Sequence, residues 1–206
     1  MSEAIPRGWS LEEFLVWEEQ QDERYEFVDG QLVMMAGGTQ AHALIATNLI
    51  SILRPMLRGS PCRPNGSDLR VPVPSTGNAR YPDVTIDCGK FDRNAHDASE
   101  PTVVFEILSE TTKWYDQTKK LKDYESVPTI RQYICVSQEE ARVSVWLRDA
   151  GGRLVAQNDL VESEDKLSIV GLQEPLRIAD IYEGTGEIQR LIIARDLLGY
   201  SPKELN

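Results

Sequence analysis

A carboxylate stands inside the most apolar run of the chain. Residues 102–108 read Thr-Val-Val-Phe-Glu-Ile-Leu, and Glu106 interrupts them. The run is short and rich in β-branched and aromatic side chains, which predicts a strand buried on both faces near the middle of a sheet. An ionised carboxylate in such a place is costly unless it is paired, hydrogen-bonded or bound to a metal. Any fold this chain adopts must therefore bring a cation or hydrogen-bond donors to Glu106.

A second acid waits upstream. Residues 81–88, YPDVTIDC, alternate so that Asp83, Thr85 and Asp87 share one face and Val84, Ile86 and Cys88 the other. Asp83 follows Pro82 at the head of this strand. Residues 89–100 are polar and aperiodic, so they form a loop, and the two strands are expected to be neighbours. Downstream, residues 113–126 have a helical period, with Trp114, Leu121, Tyr124 and Val127 marking the buried stripe. Lys120 lies about 50° from the centre of that stripe, whereas Lys119 and Lys122 lie about 150° away. Lys120 is thus the ammonium aimed at the sheet.

Two strand carboxylates are natural ligands for Mg²⁺ (or Mn²⁺). Such an ion polarises a phosphate and acidifies an attacking water, and a nearby lysine can orient that water or stabilise developing charge. Each residue also has a structural reading: Asp83 as a turn residue, Glu106 and Lys120 as a buried ion pair, Lys120 as a snorkelling boundary residue.

The rest of the chain supplies the frame. Ser10 and Glu13 form a capping box for a helix over Leu11 to Gln20. ERYEFVDGQLVMM reads as a hairpin turning on Asp29-Gly30, with Tyr25, Phe27, Leu32 and Met34 on one face and Glu26 and Val33 on the other. A helix is expected from Gln40 to about Leu57, with His42 near its start and Pro55 late in it. SPCRPNGS reads as a turn-rich connection and LRVPVP as an edge strand. After the lysine-rich helix come three strands, IRQYICV, ARVSVWLR and RLVAQ, the last two joined at Gly151-Gly152. A short strand near Leu167, a helix near Ala179–Tyr182 and a periodic segment over 188–198 complete the pattern. This order predicts an α+β fold with an α/β-type core, the unit 102–136 forming a right-handed parallel crossover. A single domain over 1–206 is expected, with its core at about 10–185.

Charge and cysteine content narrow the setting. The net charge is −11, which argues against simple electrostatic attraction to nucleic acid. Residues 51–80 nonetheless hold Arg54, Arg58, Arg63, Arg70 and Arg80 against Asp68 alone, and residues 113–136 hold a second basic excess. Basic charge is thus expected on both sides of the site. Cys62, Cys88 and Cys135 are far apart and odd in number, so free thiols in a reducing cytoplasm are expected. No run approaches the roughly 18 apolar residues of a membrane span, and the N-terminus does not read as a secretory signal.

The segments YEFVDGQLVMMAG, AHALIATNL, GSDLRV, YPDVTI, VVFEILSETT, YDQTKKLKDY and RQYICV, in this order over about residues 10–185, resemble the Uma-two family. That is a bacterial group within the PD-(D/E)XK restriction-endonuclease-like superfamily. The resemblance implies a mixed β-sheet flanked by helices, with an N-terminal helix and hairpin and extra C-terminal strands. It implies Asp83 as the motif aspartate and Glu106 as the second carboxylate. The motif's lysine belongs two residues after Glu106, where this chain has Leu108. The resemblance puts it instead at Lys120, the residue the helical wheel selects. It also implies Glu26 as an auxiliary acid and third metal ligand. His42, Asp68 and Asp116 are further auxiliary candidates. The expected protein is a Mg²⁺-dependent endonuclease hydrolysing DNA phosphodiester bonds, for which a homodimer would suit cutting two strands. The alternatives are a non-catalytic nucleic-acid- or protein-binding domain on the same fold, or a homo-oligomer whose buried acid–lysine pair only fixes packing.

Overall fold

A computed structural model describes residues 8–35, 37–109 and 115–183. In chain order the elements are α1 (Leu11–Glu18), β1 (Tyr25–Val28), β2 (Gln31–Met34), α2 (Gln40–Met56), β3 (Arg63–Gly66), β4 (Val71–Val73), β5 (Asn78–Arg80), β6 (Val84–Asp87) and β7 (Pro101–Leu108). A π-helical turn (Asp116–Lys120) then runs into α3 (Leu121–Glu125). After it come β8 (Gln132–Ser137), β9 (Val143–Arg148), β10 (Leu154–Ala156), β11 (Lys166–Leu167), β12 (Leu176–Arg177) and α4 (Ile178–Glu183).

The apolar run around Glu106 becomes one of two central strands in a six-stranded sheet of order β10-β9-β8-β7-β6-β3. β7 and β8 pair in parallel, and the remaining neighbours are antiparallel. The fold is the expected α+β arrangement of mixed sheet and flanking helices. Alternation along β7 divides its side chains. Val103, Phe105 and Ile107 join Ile45, Leu49 and Leu53 of α2 in one core cluster. Val104 and Leu108 join Tyr124 of α3 and Val71 and Val73 of β4 in another. Glu106 therefore points to the side covered by α3 and a second, four-stranded sheet of order β2-β1-β5-β4. α1 packs on that smaller sheet through Phe14, which stacks on Phe27 at 5.1 Å between ring centres.

The hairpin forms as its sequence dictates. Asp29 and Gly30 both take positive φ, 51° and 76°, as a type I′ turn requires. Tyr25 pairs with Met34, Glu26 with Val33 and Phe27 with Leu32. β4 is an edge strand, where Pro72 leaves no inner ladder amide missing. Ser10 caps α1 with the reciprocal Glu13 contact, although the helix ends at Glu18, two residues early. α2 spans Gln40–Met56 with Pro55 inside its last turn.

Several expectations change. Residues 63–66 of the supposed turn-rich connection form β3, paired antiparallel to β6, and residues 78–80 form β5 between β1 and β4. Neither has the apolar alternation of a strand. The three cysteines are not all free: Cys62 and Cys88 form a disulfide, and Cys135 is a buried thiol. The unrecognised β3 explains this, because its pairing of Arg63 with Asp87 brings the next two residues, Cys62 and Cys88, opposite each other. Three of the five arginines in 51–80 are also committed to carboxylates rather than offered to a ligand: Arg63 to Asp87, Arg70 to Glu18 and Asp97, Arg80 to Glu26 and Asp123. Lys113, Trp114 and the segment 188–198 lie outside the described residues. No described helix is long and apolar enough to cross a membrane.

Candidate functional site

The β6–β7 register pairs Val84 with Phe105. Continued by one residue, it places Asp83 across from Glu106. Asp83 is fixed from two directions. Its Oδ2 accepts the Ile107 amide at 2.7 Å, and its Oδ1 lies 3.1 Å from Nε2 of His42, which reaches down from the first turn of α2. Thr39 caps that turn by accepting the His42 amide at 3.1 Å. Gly38 packs on the imidazole so closely that an added Cβ would lie 2.8 Å from Nδ1.

Glu106 is 2% exposed. Its Oε1 accepts the Tyr124 hydroxyl at 2.6 Å and its Oε2 accepts Lys120 Nζ at 2.9 Å. Tyr124 and Lys120 both come from the helix covering this face. Lys120 closes the π-helical turn, a wide turn common at functional sites. Within it Asp116 and Lys120 both face inward, 3.2 Å apart. Glu26 enters from β1, with Oε1 3.6 Å from Lys120 and Oε2 2.9 Å from Arg80. Arg80 is 1% exposed and also bonds Asp123 and the Tyr115 hydroxyl. The large sheet, the small sheet and the helix thus meet in one polar network, with five carboxylates (Glu26, Asp83, Glu106, Asp116, Asp123) around two permanent cations.

This surplus of negative charge shows in the proton affinities. Burial pushes the Glu106 carboxyl up to about 8, against the pull of Lys120 and with Asp83, Asp116 and Glu26 adding to the rise. Burial works against the Lys120 ammonium, but Glu106, Glu26 and Asp116 outweigh it and hold its pKa well above the ordinary value. The hydrogen bond to Asp83 raises His42 despite its partial burial.

Asp83, Glu106, Lys120, His42, Asp116 and Glu26 all line one cavity of about 470 Å³, whose lining also includes Val33, Met34 and Tyr115. Asp68 stands apart. It is highly exposed, pairs with Arg24 at 3.0 Å, and lines a neighbouring cavity that shares the His42–Asp83 wall. Arg80, Tyr115, Asp123 and Tyr124 belong to the network, although the sequence did not mark them as site residues. Arg80 gave one signal, a charged residue just ahead of YPD, but its role required β5 to be recognised.

The donors suit a hard divalent cation. Asp83 and Glu106 both line this solvent-connected cavity, and burial, with the neighbouring carboxylates adding to it, raises the proton affinity of Glu106. No group of three or more His, Cys, Asp or Glu converges as a ready-made cage among the described residues. Mg²⁺ commonly uses one or two carboxylates and keeps its remaining positions for water and substrate phosphate. Glu26, the expected third ligand, is held by Arg80.

Comparison with known proteins gives the family and the fold. The model of the Uma2 family, described as "Putative restriction endonuclease", matches residues 11–178. An uncharacterized protein of Synechocystis sp., slr1290, is 31% identical over 176 residues, 85% of this chain and 92% of its own. A second, sll1609, is 28% identical over 129 residues, 61% of this chain and 73% of its own. Among solved structures, "a putative nuclease belonging to DUF820" from Anabaena variabilis superposes with a TM-score of 0.71 at 16% identity. It covers 86% of this chain and 99% of that one, and at that identity it speaks for the fold.

Proposed function

The chain belongs to the Uma2 family of restriction-endonuclease-like proteins, and from that premise we propose that it is a divalent-metal-dependent endonuclease hydrolysing DNA phosphodiester bonds. The observation that carries this reading is the meeting of Asp83, Glu106 and Lys120 on one cavity wall, two carboxylates on adjacent strands with an ammonium 2.9 Å from one of them. Asp83 and Glu106 are the residues that would hold Mg²⁺ or Mn²⁺. A bound ion would supply Lewis-acid polarisation of the scissile phosphate and acidify water beside it.

The protein's own groups do the rest. The Ile107 amide and His42 fix the rotamer of Asp83, so both carboxylates are set before substrate arrives. Lys120 donates to the attacking water and stabilises charge developing on the phosphate. Asp116 and Glu26 keep its ammonium charged and directed. Glu26 serves in this way, with Arg80 holding its second oxygen.

The test is cleavage of supercoiled, duplex and single-stranded DNA with Mg²⁺ or Mn²⁺, against EDTA and against D83N and E106Q. Metal-dependent cutting that both variants lose supports the enzyme. A wild-type protein that binds DNA and cuts none of these substrates with either metal is instead a binding domain on the same fold.

A further inference from the structure

We infer that the preferred substrate is single-stranded DNA, with an unpaired base seated in this cavity against Tyr115 and the apolar side chains of Val33 and Met34. This deepens the nuclease reading and rests on it. Two independent observations lead there.

The first is the composition of the cavity's walls. Val33 stands opposite Glu26 in the hairpin register, so it shares Glu26's side of the small sheet. It is 42% exposed, and Met34 beside it is 60% exposed. Both line the cavity together with Tyr115. Tyr115 is held rather than loose: its hydroxyl accepts Arg80 Nη1 at 2.9 Å, and the guanidinium carbon lies 5.4 Å from its ring centre. An oriented aromatic ring and a flexible, polarizable methionine lining the same cavity offer apolar surface to any base without reading its edge.

The second is where the positive charge goes. A duplex presents one charge per about 1.7 Å of its axis, and binding it without sequence preference depends on cations laid along that track. Among the described residues lining this cavity the basic side chains are Lys120 and His42, and both already face carboxylates. Arg63, Arg70 and Arg80 are likewise bonded to acids, in a chain of net charge −11. With these cations engaged, stacking is expected to carry more of the affinity than phosphate contacts, and a base can stack on Tyr115 only when it has left its own helix.

The experiment is fluorescence anisotropy with the full-length wild-type chain in EDTA, so that binding is read without cleavage. The probes are a short labelled oligonucleotide of mixed sequence and the duplex made from it. The single strand is expected to bind at least about tenfold tighter than the duplex, with Y115A and M34A each weakening it about five- to tenfold and Y115W retaining it. Met34 is exposed, so M34A remains informative if Y115A proves unstable. The dependence of log affinity on log salt should be shallower than about −2. Equal or tighter duplex binding, a steep salt dependence, or indifference to both alanine variants overturns the inference. Single-strand binding of this kind without cleavage in any metal upholds the binding wall and sinks the nuclease reading. Metal-dependent cutting of duplex with no single-strand preference does the reverse.

Discussion

Lys120 Nζ lies 2.9 Å from Glu106 Oε2, and it reaches that oxygen from the covering helix rather than from β7. Leu108, two residues along β7 from Glu106, faces the same way and is buried under α3 with Tyr124. The lysine that the family resemblance would put at position 108 is thus matched by an ammonium that contacts Glu106 from the helix. Replacing Lys120 with Ala should lower the single-turnover cleavage rate by about 100-fold or more. If position rather than parent element matters, adding L108K to K120A should recover at least about tenfold of that loss. Recovery in none of the metals would show that the strand position can no longer deliver a cation to this cavity.

Glu106 links the site to stability. Its carboxyl is pushed up to about 8 from an ordinary 4.5. The folded protein therefore keeps this proton over a pH range in which the unfolded chain has lost it. The stabilisation is full below about 4.5 and disappears as the pH rises through about 8. E106Q does not titrate, so its advantage over wild type should grow across that window, reaching roughly 1–3 kcal/mol at the alkaline end. Urea melts at a series of pH values measure it. A variant less stable than wild type above pH of about 8 would mean that the Lys120 ion pair outweighs the cost of burial.

A divalent cation competes with that proton. Mg²⁺ or Mn²⁺ should raise the melting temperature, equivalent to about 2.7 kcal/mol at a hundred times its dissociation constant. Calorimetry should show affinity rising with pH towards about 8, with proton release on binding. D83N and E106Q should abolish the effect. The same thermal shift in both variants would place the ion elsewhere.

What the sequence revealed of this site, and what it hid, has a physical division. Glu106 was legible because burying a carboxylate in an apolar strand is costly, and Lys120 because a helix has a fixed azimuth per residue. The hairpin followed from Asp29-Gly30, the only geometry that turn favours. β3 and β5 were hidden because Arg-Pro-Asn-Gly and Asn-Ala-Arg earn their pairing from neighbours, not from apolar alternation. Arg80 was hidden with β5, and with it the clamp on Glu26, Asp123 and Tyr115. The disulfide was hidden for the same reason, since only the β3–β6 register brings Cys62 to Cys88.

Gly38 has a packing role that G38A exposes. A methyl group there would sit 2.8 Å from His42 Nδ1 and 2.9 Å from its Cγ. The imidazole must then move, and its bond to Asp83 lengthens or breaks. Cleavage should fall about tenfold with little change in overall stability. H42A combined with G38A should be no worse than H42A alone, because both act through the same contact. Additive losses in that cycle would give Gly38 a role apart from His42.

The Cys62–Cys88 bond holds β3 to β6 at the end remote from Asp83. Its sequence separation of 26 encloses β3, β4, β5, Asp83 and β6. In the loop-entropy account a closure of this length stabilises the fold by about 3.5 kcal/mol. C62S/C88S, or reduction with dithiothreitol, should therefore lower stability in denaturant by about that amount. The free thiol of Cys135 is buried, so the reagent's effect reports on the one pair. Cleavage per folded molecule should not change, because the Asp83, Glu106 and Lys120 contacts are made at the other end of β6 and by the covering helix. Reduced and oxidised protein melting together would show that β3 is held by its ladder alone. A loss of cleavage without a loss of stability would show that the bond sets the position of Asp83 along β6.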